Sequence, residues 1–262
     1  MRKDFRYVKI AEALRTEMSA LGPNTALPTE HQLAKRFEVS RVTVRHALDL
    51  LQRSGLITRQ RGRGTTTNPP KITRHTFPLI WLEDDLKRQG IAYETRVLEH
   101  DVAHAPPDFV ATLLRLDRPQ SVEYLSLARL VDDKVFCHEA RYFAVAIANK
   151  LTNELIESRP LHRLLSEIAG CHIDTVELTT EILPSNTSVA AAMNVNPGTL
   201  ILANTYTHRL RDGSLIEAGV TSYRLDLCKF KAHGRISELP FQEVQSAREV
   251  DHVAMIGGAP GG

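Results

Sequence analysis

Near the start of the chain, apolar residues recur at helical spacing: Val8, Ala11, Leu14, Met18 and Leu21. Gly22-Pro23 stops that helix. A second stripe, Leu33, Ala34 and Phe37, follows Thr29, which reads as an N-cap with Gln32 three residues on closing a capping box. After the short turn Glu38-Val39, Ser40 caps a third helix from about Arg41 to Arg53, and its inner stripe is Val44, Ala47, Leu48 and Leu51. That stripe leaves Arg41, Thr43 and Arg45 facing outward in the first turn, with Val42 beside them. Gly55 ends the helix. Leu56 to Gln60 reads as a strand and Thr65 to Thr67 as its return, around an Arg61-Gly62-Arg63-Gly64 tip. Three helices followed by a basic two-stranded wing describe a winged helix-turn-helix. The tip of its third helix suits the edges of bases in a major groove, with arginine on guanine and Val42 against a thymine methyl. The wing tip suits a minor groove or phosphates.

From Phe77 onward the pattern alternates between helices and strands. Helices are expected at Leu79 to Gln89, Phe109 to Leu114, Leu161 to Ala169 and Thr187 to Met193. Strands are expected at Tyr93 to Val102, Ser121 to Val131, Val135 to Phe143, Asp174 to Leu183, Leu200 to Leu210 and Ser214 to Leu225, with Asp212-Gly213 as a turn. The order repeats itself. Arg129-Leu130-Val131-Asp132-Asp133 answers Arg209-Leu210-Arg211-Asp212-Gly213, and each is followed by a strand bearing a glutamate, Glu139 and Glu217. Two strand–helix–hairpin halves predict one mostly antiparallel sheet with helices on one face, and a cleft between halves as a ligand pocket. The fold class is α/β, of the α+β kind. The expected domains are residues 1–68, a linker at 69–76, a second domain at 77–245 and a flexible tail at 246–262.

Charge sharpens this division. The 262 residues carry a net charge of only +2, but Met1 to His75 holds 15 Lys/Arg against 6 Asp/Glu, and the remainder 18 against 25. A basic head on an acidic body fits a nucleic-acid module joined to something else. The three cysteines, Cys137, Cys171 and Cys228, make neither a metal pattern nor a disulfide framework. Of the eleven histidines, His100 and His104 are four apart, but at a strand end before Pro106-Pro107. No metal and no cofactor is expected. With neither a signal peptide nor a membrane-length apolar run, the expected location is cytoplasmic.

The run Pro28-Thr29-Glu30, Leu33-Ala34, Phe37, Val39-Ser40-Arg41, Thr43-Val44-Arg45, Ala47-Leu48, Leu51 and Gly55-Leu56 resembles the GntR family of bacterial transcription regulators. The resemblance implies that Ser40, Arg41, Thr43, Arg45, Arg61, Gly62 and Arg63 meet DNA, and that His31 stands where a phosphate-contacting basic residue is common. Residues from about Phe77 to Phe230 resemble the UTRA effector domain of the HutC-type subgroup, whose fold is similar to chorismate lyase. The resemblance implies effector contacts from Arg129, Glu139, Glu217 and Tyr223. Val131 stands where sugar-phosphate sensors carry a second arginine, and Pro160-Leu161-His162 replaces their Ser-Leu-Tyr. One arginine, the histidine His162 and two glutamates suit instead a carboxylate bearing amino or ring nitrogens.

Two function classes follow. The first is a ligand-responsive repressor, a homodimer on a palindromic operator, released when a small anionic metabolite favours a different half-site spacing. The second is a chorismate-lyase-like enzyme acting on a small aromatic or pterin-like acid, with Glu139 and Glu217 as its acid–base pair. A DNA-binding architectural protein without a ligand is a third possibility. The tethered DNA module favours the first.

Overall fold

A computed structural model describes residues 6–60, 62, 64–77, 79–116, 121–143 and 150–233. Arg61, Arg63 and the tail expected at 246–262 lie outside the described residues. The chain divides into two compact units, Met1–Thr73 with Leu225–Lys229, and Arg74–Arg224 with Phe230 onward.

The first unit holds α1 (Arg6–Met18), α2 (Glu30–Arg36), α3 (Arg41–Arg53), β1 (Ile57–Gln60) and β2 (Gly64–Thr67). Its core is the predicted stripes brought together: Ala11, Leu14, Leu33, Ala34, Val44, Ala47, Leu48 and Leu51, with Ile10 and Ile57. Each large apolar side chain buried there contributes about 1.5–3 kcal/mol. Helix α1 is shorter than its apolar spacing predicted. It ends at Met18, and Leu21 lies beyond it, 41% exposed. The Thr29 capping box forms in full, with the Thr29 hydroxyl accepting from the Gln32 amide and the Gln32 side chain accepting from the Thr29 amide. Strands β1 and β2 pair antiparallel from Ile57↔Thr67 to Gln60↔Gly64, and Ala26 bridges Thr66 on the outer side. Gly55 turns the chain at φ +69°, and a Cβ there would lie 2.1 Å from the Asp226 carbonyl oxygen. Only glycine meets both conditions.

Residues expected to form a linker build β3 (Ile72–Phe77), which pairs with β10 (Cys228–Ala232). The second unit then continues through α4 (Leu82–Arg88), β4 (Glu94–His104), α5 (Asp108–Leu113), β5 (Val122–Val131), β6 (Lys134–Phe143), α6 (Asn153–Ser158), α7 (Leu161–Ala169), β7 (Ile173–Pro184), α8 (Thr187–Ala192), β8 (Leu200–Leu210) and β9 (Leu215–Arg224). Its sheet has the order β4-β5-β6-β9-β8-β7, and the described pairings are antiparallel. The repeat read from the sequence is visible in that order. Strands β4, β5 and β6 with α5 make one half, β7, β8 and β9 with α8 the other, and the halves join along β6 and β9. The Asp132-Asp133 turn has positive φ at both residues, the conformation that suits a two-residue hairpin.

The expectation that helices cover one face of the sheet is corrected. Leu125, Leu127 and Phe143 pack against Ile156, Leu161, Leu164 and Leu165 of α6 and α7. Val122 and Tyr142 pack with Val110 and Leu114 of the α5 region. Alternation along a strand puts these two sets on opposite faces.

Candidate functional site

In the first unit, the Ser40 hydroxyl accepts from the Thr43 amide at 3.2 Å and lies 2.9 Å from the Thr43 hydroxyl. The cap fixes where α3 begins, and so which side chains its first turn presents. Ser40, Arg41 and Arg45 are exposed, Thr43 is half-buried, and Val42 is 57% exposed. An apolar side chain that open on a helix with a fully buried inner stripe is available to a partner. His31 is exposed on α2, and Gly62 is exposed at the wing turn with φ +82°. Glu30 on α2 is ion-paired with both Arg45 and Arg59. From the sequence Glu30 figured only in the Pro28-Thr29-Glu30 run, with no role at the site, and Arg59 was not singled out.

In the second unit, a cavity of about 510 Å³ lies on the face of the sheet that carries Glu139 and Tyr223. Its wall includes Trp81, Arg74, Glu139, Arg141, Tyr206, His208, Thr221 and Tyr223. Strand register brings them together. Glu139 pairs with Thr221, Arg141 with Gly219, and Tyr206 with Gly219, so alternate residues of β6, β9 and β8 share one face. Gly219 has to be glycine, since a Cβ there would lie 2.6 Å from the Tyr206 hydroxyl.

A chain of buried ion pairs lies at this cavity. The Arg129 Nε donates to Glu139 at 2.7 Å, and its terminal nitrogens donate to Glu83 at 3.0 Å and to the Thr95 hydroxyl. Arg141 donates to Glu139 at 2.6 Å and grips Glu217 with a fork of 3.0 and 2.6 Å. Glu217 is also 2.5 Å from His208 Nδ1. Burial by itself would raise the carboxyl of Glu217, but the Arg141 charge and His208 hold it down at about 2. Burial likewise opposes ionisation of Glu139 and Glu83, and the arginine charges overcome it, keeping both below the usual carboxylate range. Carboxylates held this firmly ionised make poor general acids.

Of the five residues expected to meet an effector, Glu139 and Tyr223 are on the cavity wall. Arg129 is 1% exposed, with Glu83, Glu139 and Thr95 on its guanidinium, and Glu217 is fully buried beneath Arg141 and His208. His162 stacks on Trp81, with ring centres 4.8 Å apart and planes 3° apart. Arg141, Glu83, Trp81 and His208 were not singled out from the sequence. A signal for Arg141 existed, because it lies two residues after Glu139 and so shares its strand face. Among the described residues no group of three His, Cys, Asp or Glu side chains is placed to hold a metal, and no helix is long and apolar enough to cross a membrane.

A capped helix with an open polar tip, a wing, and a separate sheet with a cavity walled by apolar, aromatic and charged side chains define a DNA-binding head joined to a ligand-sensing domain. Comparison with known proteins agrees. Residues 6–66 match the gntR family of bacterial regulatory proteins, and residues 88–229 match the UTRA domain. The chain belongs to the GntR family, in the group that carries a UTRA domain, and is a DNA-binding transcription regulator rather than an enzyme. It is similar to the transcriptional repressor NagR of Bacillus subtilis, 26% identical over 86% of this chain and 92% of that one. It is equally similar, at 26% over 86% of this chain and 93% of the relative, to MngR of Escherichia coli, a repressor of mannosyl-D-glycerate transport and metabolism. Among solved structures, PhnF of Mycobacterium smegmatis has the same fold, with a TM-score of 0.60 at 21% identity over 87% of this chain and all of that one. As a regulator of this kind, the chain binds DNA through its head and a small-molecule effector through its UTRA domain.

Proposed function

We propose that the chain is a repressor that holds a palindromic operator as a homodimer and lets go when a small carboxylate enters the cavity. The observation that carries the reading is the tip of α3, where Arg41, Val42 and Arg45 stand exposed above a fully buried Val44, Ala47, Leu48 and Leu51. In this reading Ser40, Arg41, Thr43 and Arg45 meet bases and phosphates, and His31, Arg61, Gly62 and Arg63 add backbone contacts. The names of NagR and MngR as repressors support the sign of regulation. One winged head makes few base contacts, so two heads related by a two-fold axis supply the affinity a regulator needs. Such a protein works beside the chromosome, in the cytoplasm.

The chemistry of the cavity supports the ligand class. Arg141 is engaged by Glu139 and Glu217 through three of its five N–H groups, and each terminal nitrogen keeps one more for an incoming carboxylate. A ligand that also brings its own N–H group has the Glu139 carboxylate on the same wall to accept it, which favours a carboxylate bearing amino or ring nitrogens. Glu139 and Tyr223 touch it directly, while Arg129, Glu217 and His162 hold the residues that do. The test is a titration read by the emission of Trp81, the single tryptophan of the chain. Amino and heterocyclic carboxylates are expected to change the emission and release operator DNA at the same concentrations. A response to sugar phosphates alone would overturn the carboxylate assignment.

A further inference from the structure

Four charged side chains form a chain of ion pairs across three elements of the DNA-binding head. Glu30, the first residue of α2, has one carboxylate oxygen 2.5 Å from an Arg59 terminal nitrogen on β1 and the other 3.2 Å from an Arg45 terminal nitrogen on α3. Arg45 Nε reaches the same carboxylate at 3.5 Å. Arg59 turns its other terminal nitrogen to Asp49 at 2.6 Å, and Asp49 lies one helical turn after Arg45 on α3. The Glu30 side chain is 17% exposed and the Arg45 side chain 54%. The Arg45 hydrogen bond and charge, with the charges of Arg59 and Arg41, hold the Glu30 carboxyl below its usual range.

A negative charge beside a surface meant for phosphates repels them, so its presence there calls for a reason. The geometry of the guanidinium supplies one. Glu30 takes the side edge of Arg45, the edge made by Nε and one terminal nitrogen. That leaves the end edge, with both terminal nitrogens still carrying free N–H groups. The end edge is the one that bonds guanine O6 and N7 together. A long side chain that would otherwise wander among rotamers is thereby held with its base-reading edge outward.

We infer that Glu30 is a positioning residue for sequence readout: it fixes Arg45 for a base edge, braced from the wing side by Arg59, and trades general affinity for discrimination. This rests on the proposal that Arg45 meets the operator.

The experiment uses full-length protein. A duplex is first selected from a random-sequence pool by the wild type, and a scrambled duplex of the same length serves as reference. Both affinities are measured at one salt concentration for the wild type, Glu30→Gln and Glu30→Asp, with a thermal melt of each. Glu30→Gln removes the repulsion and frees Arg45. It is expected to bind the scrambled duplex more tightly and to lose about tenfold in the ratio of selected to scrambled affinity. Glu30→Asp keeps the charge but withdraws it by one methylene, and is expected to lose ratio with little change on the scrambled duplex. An unchanged ratio with both affinities raised would make Glu30 only a misplaced charge and overturn the inference. Parallel loss of both affinities with a lowered melt in both variants would make it only a structural brace, and overturn it too. If the wild type selects no duplex at all, the proposed function itself has failed, whatever the variants do.

Discussion

Replacing Arg141 by methionine tests whether the ion pairs hold the sensing domain together. Methionine keeps much of the volume and removes the charge. It leaves Glu217 wholly buried with His208 as its remaining polar contact among those described above, and leaves Glu139 with Arg129 alone. A carboxyl held at about 2 instead of its ordinary value near 4.5 contributes about 3 kcal/mol at neutral pH. Removal of one member of a buried pair independently suggests a loss of about 3–5 kcal/mol. The pH dependence has a definite sign. The folded state depresses the carboxyl, so its stabilisation is present above pH 4.5 and is lost as pH falls toward 2. The difference between wild type and Arg141→Met is therefore largest near pH 7 and begins to shrink already above pH 4.5, because without Arg141 burial raises the Glu217 carboxyl and the variant takes up its proton first. Urea unfolding followed by Trp81 emission at several pH values reads both quantities. A loss under about 1 kcal/mol at pH 7, or a difference that does not shrink in acid, would refute the reasoning.

Arg45→Ala is expected to lower affinity for a selected operator by about tenfold or more while leaving the melting curve and Trp81 emission unchanged; equal affinity at fixed salt would remove Arg45 from the interface. Gly55→Ala forces a side chain into a left-handed turn and against the Asp226 carbonyl, and is expected to destabilise the DNA-binding unit by about 2 kcal/mol or more; an unaltered melt would contradict the packing described. Burial, only partly offset by Glu139, holds His138 down to about 4, so its contribution is present above pH 6.5 and is lost as pH falls through 4. His138→Gln, which retains a polar group for Ser126, is expected to flatten the acid dependence of stability between pH 6.5 and 4; an unchanged slope would count against it.

The head was legible because its signals are local. Caps act over three residues and helical stripes over four, so Thr29, Ser40 and the Val44–Leu51 stripe could be placed without knowing what they pack against. The repeat was legible too, since Arg129-Leu130-Val131-Asp132-Asp133 and its counterpart mark two hairpins that become equivalent halves of one sheet. What escaped depends on partners distant in sequence. Helix α6 was not expected, and β3 pairs with β10 across the length of the second unit, a partner no local pattern names. The side of the sheet on which α5 packs follows from register, which Val110 and Leu114 do not announce. The cavity was half legible. Glu139 and Tyr223 were singled out, but Arg141, Glu83 and His208 complete the polar wall from β6, α4 and β8, and only three-dimensional pairing brings those together. Arg129 stood out through the hairpin repeat and the family resemblance, but its burial among Glu83, Glu139 and Thr95 follows from pairing that neither announces.

The account rests most directly on sequence-specific grip by the α3 tip. Equilibrium binding to genomic fragments, measured at near-physiological salt against a scrambled duplex, tests it. A preference of about a thousandfold or more for at least one fragment, relieved by a ligand that also alters Trp81 emission, is the predicted result. Equal affinity for every fragment and for the scrambled duplex, with or without ligand, would contradict it.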